Sequence, residues 1–452
     1  MKPPKSKRGS RTSDAKSLTV ISEDSIAQRF AEENAESFCF IRDWNCWLKW
    51  NGETWKRDAK DSVIEAIRRL CRLIAAAEPD PRKAERLTSL QKVRAIEQLA
   101  RSDLRLSVDA DRWDRDPWEM NTPDGIVCLR SGEYSSHDPS RYLMKQTSVS
   151  PQGNCERWLK FINIITGGDT ELANYLQQLA GYCLTGSVAE QVFFYLWGTG
   201  ANGKSVFTAV LTEILGTYSK FAAPGMLTAS FRDRHPTELA MLQGSRLVIA
   251  SELAKDDKLD INKLKFITGG DRLVARKMNQ DFSEFTPTFK LILVGNALPS
   301  LSSIDEAIRR RIRIIPFIVT IPPEKRDPDL VGTLLSEGDG ILAWALKGCL
   351  DYQRNGLRTP ACVKRLTENH LYAADPINRF IQERCEVGKS FCTGSSDIYS
   401  SWRSWSIEED EYKLTQSAFI RDLVSRGFQR RREPKKRSIL GLRLKPDIGE
   451  LS

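Results

Sequence analysis

The sequence predicts an α/β protein: a parallel sheet at its centre, an α+β domain ahead of it, and a small helical unit with a basic hairpin behind it. Three observations carry this. Four short apolar runs, residues 192–197, 247–250, 289–294 and 312–318, are nearly continuous rather than alternating. Strands of that kind are buried on both faces, as in parallel sheets covered by helices. Helical or polar segments separate the runs, which gives a parallel sheet the crossovers it needs. The third observation is where the charge lies. The 452 residues include 68 Lys and Arg against 59 Asp and Glu, a net charge of +9. Residues 1–16 hold six basic groups and one acid, and residues 421–445 hold ten basic groups and two acids, so the rest of the chain is mildly acidic. Basic clusters confined to the ends suit a polyanion such as nucleic acid.

Composition removes several classes. At about 150 residues per domain, the length suggests three domains, ample for a core without disulfide or metal staples. No run of about 18 apolar residues exists, so no membrane-spanning helix is expected. The basic start is not followed by an apolar stretch, so no secretory signal is expected. The ten cysteines form no C-x-x-C pair; the closest spacings are Cys39/Cys46 and Cys385/Cys392. Reduced thiols in a cytoplasmic compartment are the expectation. His137, His235 and His370 are far apart in sequence, which gives no pattern for a metal centre.

Residues 1–19 are rich in Lys, Arg, Ser and Pro and read as a disordered basic tail. An α+β domain is expected over 20–150. Trp44, Trp47, Trp50 and Trp55 surround Asn51-Gly52, which predicts an aromatic hairpin with a tight turn, the rings packing in the core. Val63, Ile64, Ile67, Leu70, Cys71 and Ile74 fall at helical spacing from Asp61, and Glu78-Pro79 ends that helix. A second helix is predicted over 87–104. Turn signals around Ile126-Val-Cys-Leu129 predict a second hairpin.

The central domain is expected over 151–390, with a helical lead-in over 158–184. Its chemistry is in Gly198-Thr199-Gly200-Ala201-Asn202-Gly203-Lys204-Ser205, which fits G-x-x-x-x-G-K-[ST]. A buried strand precedes the loop. An amphipathic helix carrying Val206, Phe207, Val210, Leu211 and Ile214 follows it. Glycines let the backbone curl so that successive N–H groups face phosphates, and a helix N-terminus favours an anion. Lys204 is expected to reach the terminal phosphates and Ser205 to ligate Mg²⁺. The second strand places Glu252 at its carboxyl end, where ligands bind in open α/β sheets, so that Glu252 could polarise the attacking water and help Ser205 hold Mg²⁺. The third ends in Asn296, an amide able to orient water. Arg309-Arg310-Arg311 precede the fourth, and an arginine there could stabilise transition-state charge in a neighbouring subunit.

Taken in order, these signals resemble the superfamily 3 helicases, hexameric AAA+ DNA helicases of viruses and plasmids, and within them the phage/plasmid primase–helicase branch related to the poxvirus primase–helicase. The motifs are the loop from Gly198 to Ser205, the strand ending Ser251-Glu252, Leu264-Lys-Phe-Ile-Thr-Gly-Gly-Asp271 with Ala275-Arg276-Lys277, and the strand ending in Asn296 with Leu298-Pro299 after it. Trp158-Leu-Lys-Phe161, Gly181-Tyr-Cys-Leu-Thr-Gly186 and the stretch from Trp47 to Trp55 extend the resemblance over about residues 20–445. It implies a P-loop AAA+ core, with Lys204 and Ser205 on phosphate and Mg²⁺, Glu252 as catalytic acid, Asn296 as sensor and Arg311 as arginine finger, Arg310 being the runner-up. It also implies that Arg276 and Lys277, with nearby Asn279, lie on a hairpin that grips single-stranded DNA in a central channel. Many relatives have two acids at the second motif. Here Ser251-Glu252 leaves direct metal contact to Ser205 and water, or to another acid such as Asp256.

Residues 391–452 are expected to form a winged-helix-like DNA-binding domain. Two helices, 398–407 and 414–424, precede two short strands around a basic turn. The wing would carry Arg430, Arg431, Arg432, Lys435, Lys436 and Arg437, which would contact phosphate without reading sequence. The whole predicts an ATP-dependent, ring-forming DNA helicase, a homo-hexamer in the host cytoplasm, acting on single-stranded and fork DNA for a phage, plasmid or integrated element. Only about twenty residues precede the region resembling the pre-helicase domain, so a separate primase or polymerase is the expected partner. The alternative is an ATP-dependent initiator or loader with little unwinding activity.

Overall fold

In the computed structural model, which describes residues 21–228, 237–251, 258–276, 282–301, 304–409, 411, 414–432 and 437–446, the chain divides into two units. The described residues of the first fall within 1–116, 123–126 and 135–146; those of the second are 117–122, 127–134 and the chain from 147 onward.

The first unit is α+β. Its opening helix, Glu23–Asn34, starts at Ser22 because the Ser22 hydroxyl accepts from the Ser25 amide while the Ser25 hydroxyl accepts from the Ser22 amide. That reciprocal pairing satisfies two orphan donors at the helix start. Strands Phe38–Ile41, Cys46–Trp50 and Trp55–Arg57 form an antiparallel sheet. Trp50 stands opposite Trp55 with ring centroids 5.6 Å apart, which is the aromatic hairpin read from the sequence. Its connection is four residues, 51–54, rather than two, because the Asn51 side chain accepts from the amides of Glu53 and Thr54. Helix Ser62–Ala76 matches its predicted register. The helix expected over 87–104 is instead two, Pro81–Leu87 and Leu90–Ala100. Ser89 causes the break: its hydroxyl caps the second helix through the Lys92 amide. Phe30, Phe40, Trp47, Ile67 and Ile96 form the core. Inside it the Trp47 indole N–H donates to Glu97, which also pairs with Arg101 at 2.7 Å.

The second unit holds the parallel sheet. Its five strands run in the order Ile312–Pro316, Phe193–Trp197, Lys290–Gly295, Leu247–Ser251, Ser219–Phe221, all parallel. The apolar runs predict four of them. Ser219–Phe221 has three residues, two of them exposed, and so leaves no apolar signature. The near-continuous apolarity has a direct cause. Phe194, Leu196, Ile292 and Ile315 pack under one helical layer that includes Trp158, Leu176, Phe207 and Ile341. Phe193, Tyr195, Leu291, Leu293 and Ile314 pack on the other, against Ile261, Leu264, Ile308 and Leu371. Trp158, fully buried, stacks on Phe207 at 5.8 Å and meets Trp344 edge-on, which fixes the lead-in helix Glu156–Ile165 to the helix after the Gly-rich loop. An antiparallel hairpin, Leu273–Arg276 with Phe282–Phe285, follows helix Ile261–Thr268.

Beyond helices Gly338–Asn355 and Ala361–Ala373, a further core forms from Phe380, Ile398, Trp402, Trp405, Phe419, Leu423, Ile439 and Leu442. The element order is helix Pro376–Arg384, strand Cys385–Gly394, helices Ser395–Glu408 and Gln416–Ser425, then strands Gln429–Arg432 and Arg437–Leu444. The last strand lies between the other two. The sequence shows the two helices and the basic strand pair but not Cys385–Gly394. That strand is irregular, with its register shifting between Val387 and Cys392 around Gly388-Lys389-Ser390. None of the ten cysteines is paired. Among the described residues, no helix is long and apolar enough to cross a membrane.

Candidate functional site

Three strands end level with one another. Trp197 is in register with Gly295 on one side and Pro316 on the other. The Gly-rich loop leaves from Trp197, and helix Lys204–Leu215 begins where it closes. Gly203 holds the turn with φ of 83°, and a side chain there would strike Ile165 and Phe161 of the lead-in helix. That helix start has no side-chain cap, so its first-turn amides are left for an external acceptor. Asn202 anchors the loop from below: it is buried, and its amide N–H donates to the Phe317 carbonyl at 2.8 Å. The Ile321 amide donates to the Ala201 carbonyl.

Lys204 is 3% exposed. Its ammonium donates to the Gly198 carbonyl at 2.6 Å, the Asn202 side-chain oxygen at 3.0 Å and the Asn296 side-chain oxygen at 3.2 Å. No carboxylate among the described residues pairs with it, and burial holds its pKa below the usual lysine value. A cation whose described partners are all neutral oxygens, beside uncapped amides and at the carboxyl edge of a parallel sheet, suits a phosphate chain. Ser205, exposed on the first turn, presents a hydroxyl of the kind that ligates Mg²⁺. Asn296 follows strand Lys290–Gly295, and the Tyr195 hydroxyl holds the chain just past it by donating to the Ala297 carbonyl at 2.7 Å. Strand Leu247–Ser251 reaches the same edge, with Ser251 in register with Val294. Glu252 and Asp256 lie outside the described residues.

The arginine segment is helix Glu306–Arg311, capped by Asp305 through the Ile308 amide. Arg310 is exposed. Arg311 is buried, donates to its own helix at the Ala307 carbonyl, and has an Nε with no partner among the described residues. Burial, with Arg310 next to it, holds its pKa below the usual arginine value. An orphaned buried donor on a guanidinium is costly unless an acceptor arrives.

On the hairpin, Leu273, Ala275 and Phe285 face inward, while Val274, Arg276, Phe282 and Glu284 face outward. Arg276 stands opposite Phe282 in the ladder, its guanidinium 5.1 Å from the ring centroid. Phe282 is 61% exposed and went unnoticed in the sequence because a lone Phe in a polar stretch reads as core. Lys277 and Asn279 lie outside the described residues. In the carboxyl-terminal sheet, all four residues of Gln429–Arg432 are exposed, as is Arg437, so Arg430, Arg431, Arg432 and Arg437 share one strand pair. Lys435 and Lys436 lie outside the described residues. Sequence reasoning also missed Asp375, onto which Arg309 and Arg426 converge. A single Asp between two helices carries no motif.

Comparison with known proteins follows the same map. Residues 27–167 match the family described as "D5 N terminal like", and residues 196–311, from the loop to Arg311, match a family of unknown function, DUF5906. A protein of Acanthamoeba polyphaga mimivirus, named as a putative helicase, is 29% identical over 258 residues, 52% of this chain and 27% of that protein. Another so named, from Frog virus 3, is 27% identical over 251 residues, 50% of this chain and 25% of that protein. The chain thus spans about a quarter of the length of these relatives. The solved apo structure of the NrS-1 C-terminal region shares the fold, with a TM-score of 0.53 over 90% of this chain and 96% of that one at 11% identity. The family match before the Gly-rich loop and the viral proteins named as putative helicases that align with the chain agree with the motif series and support a D5-like primase–helicase family.

Proposed function

We propose that this chain is an ATP-dependent, ring-forming DNA helicase that translocates on single-stranded DNA during replication of a viral, phage, plasmid or integrated genome. The observation that carries the reading is Lys204: buried, unpaired with any described carboxylate, at an uncapped helix start, and 3.2 Å from Asn296. Lys204 and the loop amides would bind the phosphates of ATP, and Ser205 would hold Mg²⁺. Hydrolysis of ATP supplies the free energy for movement. Glu252 would take the proton of the attacking water, and Asn296 would orient that water. Arg311, or the more exposed Arg310, would reach the site of the next subunit in a homo-hexamer. Arg276, Lys277 and Phe282 would hold one strand of DNA. The carboxyl-terminal unit, with the element order of a winged helix, would add phosphate contacts through its arginines and lysines. A primase or polymerase is the proposed partner activity.

The test is direct. The purified protein should hydrolyse ATP, hydrolyse it faster with single-stranded DNA, and open a forked duplex. Lys204→Ala should lower turnover by about two to three orders of magnitude, as loss of a transition-state charge contact does. Unwinding that persists in that variant sinks the reading.

A further inference from the structure

Asp375 lies where the helical tail gives way to the carboxyl-terminal core. It caps helix Pro376–Arg384, accepting from the Asn378 amide at 3.1 Å, and its side chain is 2% exposed. Two arginines distant in sequence converge on it. Arg426 binds it through two N–H groups, at 2.8 and 2.9 Å, and Arg309 through a third at 2.8 Å. With the amide, four donors fill the carboxylate.

The two arginines come from functionally different places. Arg426 ends helix Gln416–Ser425, three residues before the basic strand Gln429–Arg432. Arg309 is on helix Glu306–Arg311, beside Arg310 and two residues before Arg311. The other end of that short helix is tied as well. Its cap, Asp305, forms an ion pair with Lys265 of helix Ile261–Thr268, which leads into the Arg276 hairpin. The helix bearing both candidate finger arginines therefore has one ionic tie to the hairpin's helix and another to the carboxyl-terminal unit. Capping alone does not require Arg309, since the Asn378 amide supplies it. Arg426 is shared between Asp375 and Asp422, and Arg309 brings the second positive charge that balances the two carboxylates.

We propose that Asp375 is a positioning residue that makes the Arg310–Arg311 helix follow the carboxyl-terminal unit, so that nucleic acid held by that unit governs ATP turnover. This rests on the helicase reading above. In an ordered low-dielectric setting, a shared carboxylate transmits a displacement of either arginine to the other. The coupling is thermodynamic: DNA raises turnover to the extent that it favours one arrangement of this tie.

The test uses the full chain and poly-dT as the probe. Basal ATPase, ATPase at saturating poly-dT and poly-dT affinity are measured separately. Arg309→Gln is the main variant, because the Asp375 cap and the Arg426 pair survive in it. It should keep basal ATPase and poly-dT affinity within about twofold of wild type while stimulation by DNA falls at least fivefold, and Arg309→Lys should restore most of the stimulation. Asp375→Asn should lose stimulation too, with a lower melting temperature. Unchanged stimulation in Arg309→Gln overturns the inference. So does a loss of affinity that accounts for all the lost stimulation, since the tie would then only hold the unit's fold. A wild-type chain whose ATPase ignores poly-dT overturns the helicase reading itself, and this inference with it.

Discussion

Lys290 opens the strand that Asn296 follows, and the residue is 1% exposed. It donates to the carbonyls of Thr185, Ser187 and Thr288 and sits 4.9 Å from the Tyr182 ring. Burial, assisted by Arg246, pulls its pKa down to about 7 from 10.5, with Cys183 acting in the opposite sense. Between those values the unfolded chain binds more protons than the folded one, so folding gains stability as pH rises from about 7. The melting temperature of wild type relative to Lys290→Met should therefore climb between pH 7 and pH 9; a constant gap would contradict the assignment. Gly295, at the other end of the same strand, makes a sterically determined prediction. A Cβ there would lie 1.9 Å from the Tyr195 hydroxyl, the group that holds the Ala297 carbonyl just past Asn296. Gly295→Ala should cost about 1–3 kcal/mol by overpacking. By disturbing Asn296, it should also lower kcat for ATP more than it raises KM. Thermal melts and steady-state kinetics check both. Neither residue stands out in the sequence, where Lys290 is an ordinary strand-flanking lysine. The closeness of Lys204 and Asn296 was legible, because the motif series assigns both to the terminal phosphate of one nucleotide. The Asn202 bond to Phe317 was not, because it depends on which strands become neighbours.

Elements were legible where their signal is local. The long apolar strands and the helix after the Gly-rich loop each have a period or a run that one stretch of sequence contains. Ser219–Phe221 and Cys385–Gly394 do not, since each is a strand only because a neighbour supplies its hydrogen bonds. The hairpin Leu273–Arg276/Phe282–Phe285 is an intermediate case. Its basic residues were read from the motif, but its exposed aromatic emerges only once the ladder sets Arg276 opposite Phe282. An exposed ring beside a guanidinium can serve as a stacking platform for a nucleobase, as the proposed function requires of this hairpin, and such contacts are worth about 1–3 kcal/mol per base. Phe282→Ala should weaken single-stranded DNA binding about tenfold, with an unchanged dependence on salt, since no phosphate contact is lost. Arg276→Ala should weaken binding and also flatten the salt dependence, by about 0.7 in the log–log slope for each phosphate contact removed. Anisotropy titrations across a salt series separate the two. Equal affinity for Phe282→Ala and wild type would remove the ring from the interface.

At the scale of the whole molecule, the net charge of +9 does not describe the candidate site. The sheet-bearing unit does its proposed work with single placed cations: Lys204 at the nucleotide, Arg276 on the strand, Arg310 or Arg311 across to a neighbour. Only the last requires a second copy of the chain. Arg311 is buried with an Nε that has no described partner, while Arg310 is exposed, so they suit different versions of the same role. A ring built by head-to-tail contacts joins the Lys204 face of one subunit to the arginine face of the next. Lys204→Ala and Arg311→Ala chains should each be nearly inactive alone. Mixed one to one, they assemble interfaces in which an intact Lys204 meets an intact Arg311 in about a quarter of cases, so ATPase should recover to about a quarter of wild type if sites fire independently. Recovery with Arg310→Ala but not Arg311→Ala would assign the finger to Arg310. Arginine variants that stay active alone would show that the helix does not act on the nucleotide. Variants that are inactive alone and stay inactive when mixed, while light scattering reports mixed rings, would place the arginine in its own subunit's site, because then no mixed interface can be complete.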